Sequence, residues 1–333
     1  MNLKPFDHYR PRSLAELREI MAGPAAGGFV LLGGGTDVLV KIKQRLMTPA
    51  GIISLSGLPE LAKLEQQGDD ILIGAGVTLR RLEESPLITA NFPALARAAA
   101  AVGSPQLRNM GTVGGNVRLD TRCVYFNQPE WPGDFVACYK RGGDRCHVVK
   151  GGKRCYALFC ADTPAALLAL EARVLIVGPA GERETPLNEF YRDDGLVCCP
   201  IEADELILGL KLAIRPGRES AYFRFSGRGA IDFPLVGVAI AMEKDDRGVV
   251  CNWRLAATGM QSRPLRLSRL EAVLAGLSYP RELTQQMIAN TLKEIKPVRH
   301  HGLSPAYRRH LLAVMVERAL DFVRESKEHE KTR

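Results

Sequence analysis

Nowhere in the 333 residues is there an unbroken apolar run near the ~18–20 residues that a membrane-spanning helix needs. The stretch from Met1 to Leu17 carries charges and proline in place of the apolar centre of a secretory leader, so a cytoplasmic location is expected, where thiols stay reduced. The glycine clusters fit neither G-x-G-x-x-G nor a P-loop with Lys after its last glycine, which disfavours a nicotinamide-type Rossmann enzyme and a nucleoside triphosphatase. The eight cysteines form no C-x2-C zinc-ribbon pair and no bacterial ferredoxin run. Charge of one sign is scarce too: the formal net charge is +8, and the aromatics, at 6%, do not interleave with Lys and Arg as a nucleic-acid surface would require. No nucleic-acid partner and no membrane is expected.

What is present is an ordinary globular composition, 46% hydrophobic and 25% charged, in a chain long enough for about two domains. Ser13-Leu14-Ala15-Glu16 is a capping box opening a helix through Met21; Phe29 to Leu32 reads as a strand, Thr36-Asp37 opens a second helix, and Ile52 to Leu55 is a further strand. The first ~55 residues therefore read as an αβαβ unit. Strand Ile71–Ile73 and helices Thr78–Glu84 and Pro93–Val102 follow, then a helix started by Thr163-Pro164 and strand Val174–Val177. From Glu205 the pattern is strand-like: Leu206–Leu212, Tyr222–Phe225, Leu235–Met242, a turn at Asp245–Gly248 and a return strand Val249–Ala257. Helices at Arg269–Leu277, Arg281–Ile295 and Ala306–Phe322 complete an α+β domain beginning near residue 215, with a frayed polar tail from Glu325.

Two glycine-rich stretches stand out. Leu32-Gly33-Gly34-Gly35-Thr36-Asp37 joins a strand to a helix, where bare backbone lets an anionic ligand approach; the bland alternative is a tight turn. The second, Ser104-Pro105-Gln106-Leu107-Arg108-Asn109-Met110-Gly111-Thr112-Val113-Gly114-Gly115-Asn116, is far more specific, and the two could converge on one pyrophosphate. With Ala161-Asp162-Thr163-Pro164, Tyr222 to Val236 and Pro305 to His310, these stretches resemble the FAD-binding medium subunit of the molybdenum hydroxylase (xanthine dehydrogenase) family over nearly the whole chain. The resemblance implies an α+β fold: a two-subdomain FAD-binding domain of the PCMH or vanillyl-alcohol-oxidase-like type (1–57 and 58–214), a C-terminal domain with a three-stranded sheet and helices (215–325), and a tail (326–333). It also implies an electron-passing flavoprotein subunit with no catalytic residue of its own. Leu32, Gly33, Gly34, Gly35, Thr36 and Asp37, with Ser104, Asn109, Thr112, Val113, Gly114, Gly115 and Asn116, would hold FAD, mainly through backbone amides at its pyrophosphate. Asp162 would hydrogen-bond the ribityl chain, Leu206 or Ile207 would pack on the isoalloxazine, and Arg224 stands where the family often has Lys. Arg228 and Asp232 match a family pair that is as easily structural as functional.

Between the second loop and Asp162 the chain inserts Arg118 to about Tyr156, some forty residues without periodicity, holding Cys123, Cys138, Cys146 and Cys155 at C-x14-C-x7-C-x8-C. Unligated thiols would leave this loop with nothing to order it; zinc would order it without redox use; a [4Fe–4S] cluster would order it and exchange electrons with flavin. The cluster is the favoured reading. Six Lys and Arg between Tyr139 and Arg154 face only Asp144, and this positive run would offset the cluster's negative charge. Trp131 and Tyr139 are candidate shields, and Cys160 is a reserve ligand. Cys198, Cys199 and Cys251 read as buried. A flavin subunit with a four-Cys insertion resembles the β subunit of the 4-hydroxybenzoyl-CoA reductases, which implies electron entry from ferredoxin through [4Fe–4S] and FAD to [2Fe–2S] clusters of a small subunit. A large subunit would then carry molybdenum in a dimerised heterotrimer serving aromatic catabolism. The alternative is an ordinary xanthine or CO dehydrogenase-type flavin subunit with a structural metal insertion.

Overall fold

The computed structural model describes residues 3–23, 28–127, 136–245, 250–275 and 283–331, with side chains through Val323. Three sheets organise it. Strands β1 (Asp7–Tyr9), β2 (Phe29–Leu32) and β3 (Gly51–Ser54) make a parallel sheet in the order β1-β3-β2. Helix Leu14–Ala22 lies between the first two strands in the chain, and Ser13 Oγ accepts from Glu16 N at 3.1 Å, as the capping box predicts. The unit is βαβαβ, one strand longer than the sequence pattern suggests, because β1 is three exposed residues with no apolar signature.

The second sheet runs β4 (Leu64–Gln67), β5 (Asp70–Gly74), β8 (Leu206–Ala213), β6 (Arg173–Gly178), β7 (Gly181–Pro186), in that spatial order and antiparallel throughout. The predicted strands at 71–73, 174–177 and 206–212 are its three central members. The two edge strands, polar and exposed, are not anticipated by hydrophobic pattern. The third sheet, β9 (Arg218–Phe225), β10 (Val236–Lys244), β11 (Val250–Thr258) and the two-residue β12 (Leu265–Arg266), is an antiparallel meander. Its three long strands are the expected ones; β12 adds a short fourth. The expected turn at Asp245–Gly248 lies, from Asp246 on, outside the described residues. Helices Ser268–Ala275, Gln285–Thr291 and Pro305–Lys331 flank this sheet, and the last packs on β9 and β10. It continues helically through the segment expected to fray.

Helix Thr163–Ala169 is buried along its entire length, as a T-P-A-A-L-L-A sequence that is apolar after its first residue requires. It packs against β10 and β11, against helix Pro93–Ala100 and against the turn of helix at Val113–Val117. The residue before it, Asp162, is thereby fixed between the third sheet and the second glycine stretch. No helix among the described residues is long and apolar enough to cross a membrane.

Candidate functional site

The second glycine stretch is not an open loop. It folds as two short helical segments, Pro105–Met110 and Val113–Val117, because each has a hydroxyl cap: Ser104 Oγ accepts from Leu107 N at 3.3 Å, and Thr112 Oγ1 from Gly115 N at 3.1 Å. The first stretch, between β2 and helix Val38–Lys43, is laid against it. A Cβ on Gly33 would stand 2.9 Å from Thr112 Oγ1, and a Cβ on Gly34 would overlap the Met110 carbonyl. Gly35 has φ +75°, a left-handed conformation natural only to glycine. The two stretches therefore touch directly, at Gly34 and the Met110 carbonyl and at Gly33 and Thr112.

The second stretch is also pinned from behind. Val113 N donates to Val77 O and Gly114 N to Ala75 O, both at 2.9 Å, and a Cβ on Gly114 would come within 2.7 Å of the Ala75 Cβ. Three amides expected to face a pyrophosphate, those of Val113, Gly114 and Gly115, already have protein acceptors. The first stretch is thus the better source of phosphate donors. Asn116 is similarly committed: its Oδ1 accepts from Thr163 N at 3.2 Å and Thr163 Oγ1 at 2.6 Å, clamping the stretch to the buried helix.

Asp162 is fully enclosed. Tyr222 Oη donates to its Oδ1 at 2.8 Å, and Arg224 Nε lies 3.6 Å from the same oxygen. Burial pushes its carboxyl up to about 6, against the opposing pull of Arg224 and of the Tyr222 hydroxyl. Arg224 itself is spent on backbone, its two terminal nitrogens donating to Ala101 O and Asp232 O. It thus ties the third sheet to the segment before Ser104. Leu206 and Ile207 are core residues at the start of β8, paired with Val177 and Ile176. Arg228 and Asp232 form the anticipated pair at 3.6 Å, with Arg228 largely exposed.

The insertion is anchored at its base by a two-way backbone bridge between Arg122 and Leu158. Above it, Cys123, Cys138, Cys146 and Cys155 line a single, partly open cavity together with Tyr125, Phe126, Tyr139, Lys140 and His147. Backbone hydrogen bonds fix three of the four. Cys123 N donates to Asn127 Oδ1 at 2.8 Å; Cys138 O accepts from Arg141 N and Gly143 N; Cys155 O accepts from Gly195 N at 2.9 Å. Burial raises the Cys123 thiol and pushes Cys155 up to about 11, with the neighbouring pocket thiols adding to both. Yet among the described residues no group of three or more His, Cys, Asp or Glu is placed to hold a metal ion. Cys160 stays outside the cavity, its thiol directed to Leu158 O at 3.7 Å. Trp131 lies outside the described residues. Cys251, expected to be buried, is exposed on β11.

An ion-pair chain that sequence reasoning missed joins the two regions. Asp37, on the first glycine stretch, pairs with Lys41 at 2.9 Å and with Arg122; Lys41 also pairs with Asp120 at 2.8 Å, and Asp120 with Lys140, which lines the thiol cavity. Lys140 is thus not part of a solvated positive face, and its ammonium also lies 4.5 Å from the Phe126 ring centroid. The lysines beside Asp120 hold its carboxyl below the usual range despite burial.

A strand-to-helix glycine stretch thus packs on a second, hydroxyl-capped one, with a buried carboxylate beside them. The chain matches the FAD-binding domain in molybdopterin dehydrogenase over residues 4–212 and the CO dehydrogenase flavoprotein C-terminal domain over 221–323. It belongs to this family of FAD-binding subunits of molybdenum hydroxylases. It is 30% identical to the aldehyde oxidoreductase FAD-binding subunit PaoB of Escherichia coli over 82% of this chain and 87% of that one. Identity to the carbon monoxide dehydrogenase medium chain of Hydrogenophaga pseudoflava is 26%, over 95% and 96%. The solved carbon monoxide dehydrogenase of that organism, lacking its Mo-pyranopterin moiety, superposes with a TM-score of 0.78 over 96% of this chain and 98% of its own. These relatives match the hydroxylase-type flavin subunit better than the 4-hydroxybenzoyl-CoA reductase reading.

Proposed function

We propose that this chain is the flavin-bearing electron-transfer subunit of a cytoplasmic molybdenum-containing oxidoreductase, working beside a large molybdenum-cofactor subunit and a small [2Fe–2S] subunit. The observation that carries this reading is the match to the FAD-binding domain over residues 4–212, within which the two glycine stretches pack directly on one another at Gly33, Gly34, Met110 and Thr112. FAD, when bound, supplies the exchange between two-electron and one-electron carriers. Leu32 to Asp37 would hold its pyrophosphate, with Ser104, Asn109 and the Thr112–Asn116 turn shaping the opposite wall. Asp162 would accept from ribityl hydroxyls, and its partial neutrality near pH 6 is bounded by Tyr222 and Arg224. Leu206 and Ile207 would supply the apolar backing of the ring. The proposed divisions are 1–57, 58–214, 215–325 and 326–333.

A second observation favours a more specific reading. Four thiols line one pocket. We propose that Cys123, Cys138, Cys146 and Cys155 hold a [4Fe–4S] cluster, which takes one thiolate on each iron. That would make the complex similar to 4-hydroxybenzoyl-CoA reductase, with ferredoxin as donor and an aromatic acyl-CoA dehydroxylated on another subunit. The aldehyde oxidoreductase and carbon monoxide dehydrogenase relatives favour the plainer alternative, a CO or xanthine dehydrogenase-type flavin subunit whose insertion is structural. Anaerobic purification with its partners, followed by flavin, iron and acid-labile sulfide counts and low-temperature EPR of the reduced complex, separates the two. Flavin without a tetranuclear signal leaves the plainer reading; absence of flavin overturns both.

A further inference from the structure

The loop Tyr191–Cys199 is pinned to both regions at once. Tyr191 Oη donates to Val117 O at 2.8 Å, just past the second glycine stretch, and Gly195 N donates to Cys155 O at 2.9 Å on the wall of the thiol cavity. Thr121 Oγ1 donates to Gly195 O at 2.6 Å. The loop ends in two adjacent, buried cysteines that neither the flavin site nor the thiol cavity uses. Their sulfurs are 3.6 Å apart, and the Cys199 thiol also lies 3.8 Å from Val117 O.

We propose that Cys198 and Cys199 form a reversible thiol switch on the flavin-binding turn, oxidised by a small peroxide to a vicinal disulfide. The chemistry takes two balanced steps. The Cys198 thiolate attacks the peroxide O–O bond, giving a sulfenic acid and, once a proton is taken up, water. The Cys199 sulfur then attacks that sulfenic sulfur, closing the S–S bond and releasing a second water. The pair loses two electrons and two protons, and one peroxide is reduced to two waters. The roles follow from the contact: Cys199 keeps its proton, shared between Cys198 Sγ and Val117 O, and Cys198, accepting from it, is the more readily ionised of the two despite burial.

Adjacent residues across a trans peptide have Cα atoms about 3.8 Å apart, closer than the ~4.4–6.8 Å of relaxed disulfides. Such a bond is strained and easily reduced, which suits a switch and not a staple. Oxidation removes the Cys199 hydrogen from Val117 O and resets the turn closed by Arg192 N and Cys198 O, slackening the end of the flavin stretch. The effect on flavin rests on the proposed FAD site; formation of the disulfide does not.

The test treats the purified, anaerobically reduced complex with one to a few equivalents of hydrogen peroxide, quenches it in denaturant with an alkylating agent, and weighs the tryptic peptide 193–211. Expected are a loss of two hydrogens with no alkylation, full reversal by dithiothreitol, and flavin release about fivefold faster in the oxidised form, the scale of one lost hydrogen bond. Cys199→Ser should abolish both changes and leave a Cys198 sulfenic acid trappable by dimedone. Two alkylated thiols in peroxide-treated protein, or a disulfide with unchanged flavin release, overturns the switch. Should the variant misfold, dithiothreitol reversal in the native complex still decides.

Discussion

The glycine-stretch site and the cysteine insertion sit side by side and are built on opposite principles. The first is made by removing atoms: Gly33, Gly34 and Gly114 let backbone meet backbone, and the surrounding stability comes from an apolar core that includes the wholly buried helix Thr163–Ala169. The second has few buried apolar residues. It is held by backbone hydrogen bonds at its cysteines, by a bridge at Arg122 and Leu158, and by the ion-pair chain through Asp120 and Lys140. The second carries a partly open pocket lined by thiols, and the proposed cluster would add to its order.

The largest effect should come from Gly34→Ala, whose methyl would overlap the Met110 carbonyl, a backbone atom that cannot swing aside. The two stretches must then part, and overpacking of this kind costs about 1–3 kcal/mol or more. Flavin content, read from the visible absorbance per chain, should fall by most of its value while the thiol cavity keeps whatever metal it holds. On the proposed cluster, Cys138→Ser should do the converse, stripping iron and sulfide but sparing most of the flavin. If both variants lose both cofactors, the regions are one cooperative unit and the contrast between them is wrong.

How much of the molecule was legible in its sequence follows the same division. The strand-to-helix glycines, the Thr163-Pro164 helix start and the three long strands of the third sheet carry local signatures, and they lie where pattern places them. Ser104 and Thr112 were equally legible as caps, since Ser-Pro and Thr-x-x-Gly before short turns are local signals; the glycines around them masked it. What no pattern could reveal is long-range. Arg224 reaches Ala101 O across 123 residues, and Asp120 joins Lys41 across 79. β1 and the polar edge strands β4 and β7 escape because exposed strands have no hydrophobic face to betray them. Cys251 reads as buried from its apolar hairpin, yet it occupies an outward position of β11.

The two regions should also answer pH with opposite sign. Asp162 has its carboxyl raised on folding, so its ionisation opposes folding: its contribution is most favourable below pH about 4 and is lost as pH rises towards about 6, by up to about 3 kcal/mol. Asp120 is lowered, so its contribution is present above its unfolded value and disappears as pH falls through the still lower folded one. Asp162→Asn should flatten the denaturant midpoint between pH 4 and 6 and raise it near pH 7. Asp120→Asn should instead lower the midpoint near neutrality and speed proteolysis within the insertion, by leaving Lys41 and Lys140 without their shared carboxylate. Equal pH profiles for wild type and Asp162→Asn would show that Asp162 is already neutral, or already solvated, across that range.

The smallest effect separates two basic residues that look alike in sequence. Lys140 is buried at the cavity wall with Asp120, Thr121 and the Phe126 ring as partners, whereas Arg145 pairs at 3.2 Å with Asp144 while both side chains remain mostly exposed. An exposed pair of this kind is worth between nothing and about 1 kcal/mol and is screened by salt, whereas removing one member of an enclosed pair strands the other. Arg145→Gln should therefore leave the unfolding midpoint unchanged at any ionic strength, and Lys140→Gln should lower it with little dependence on salt. A matching loss in both variants would mean that the positive run acts as one diffuse field, and the distinction between its buried anchor and its solvated rim would have to be abandoned.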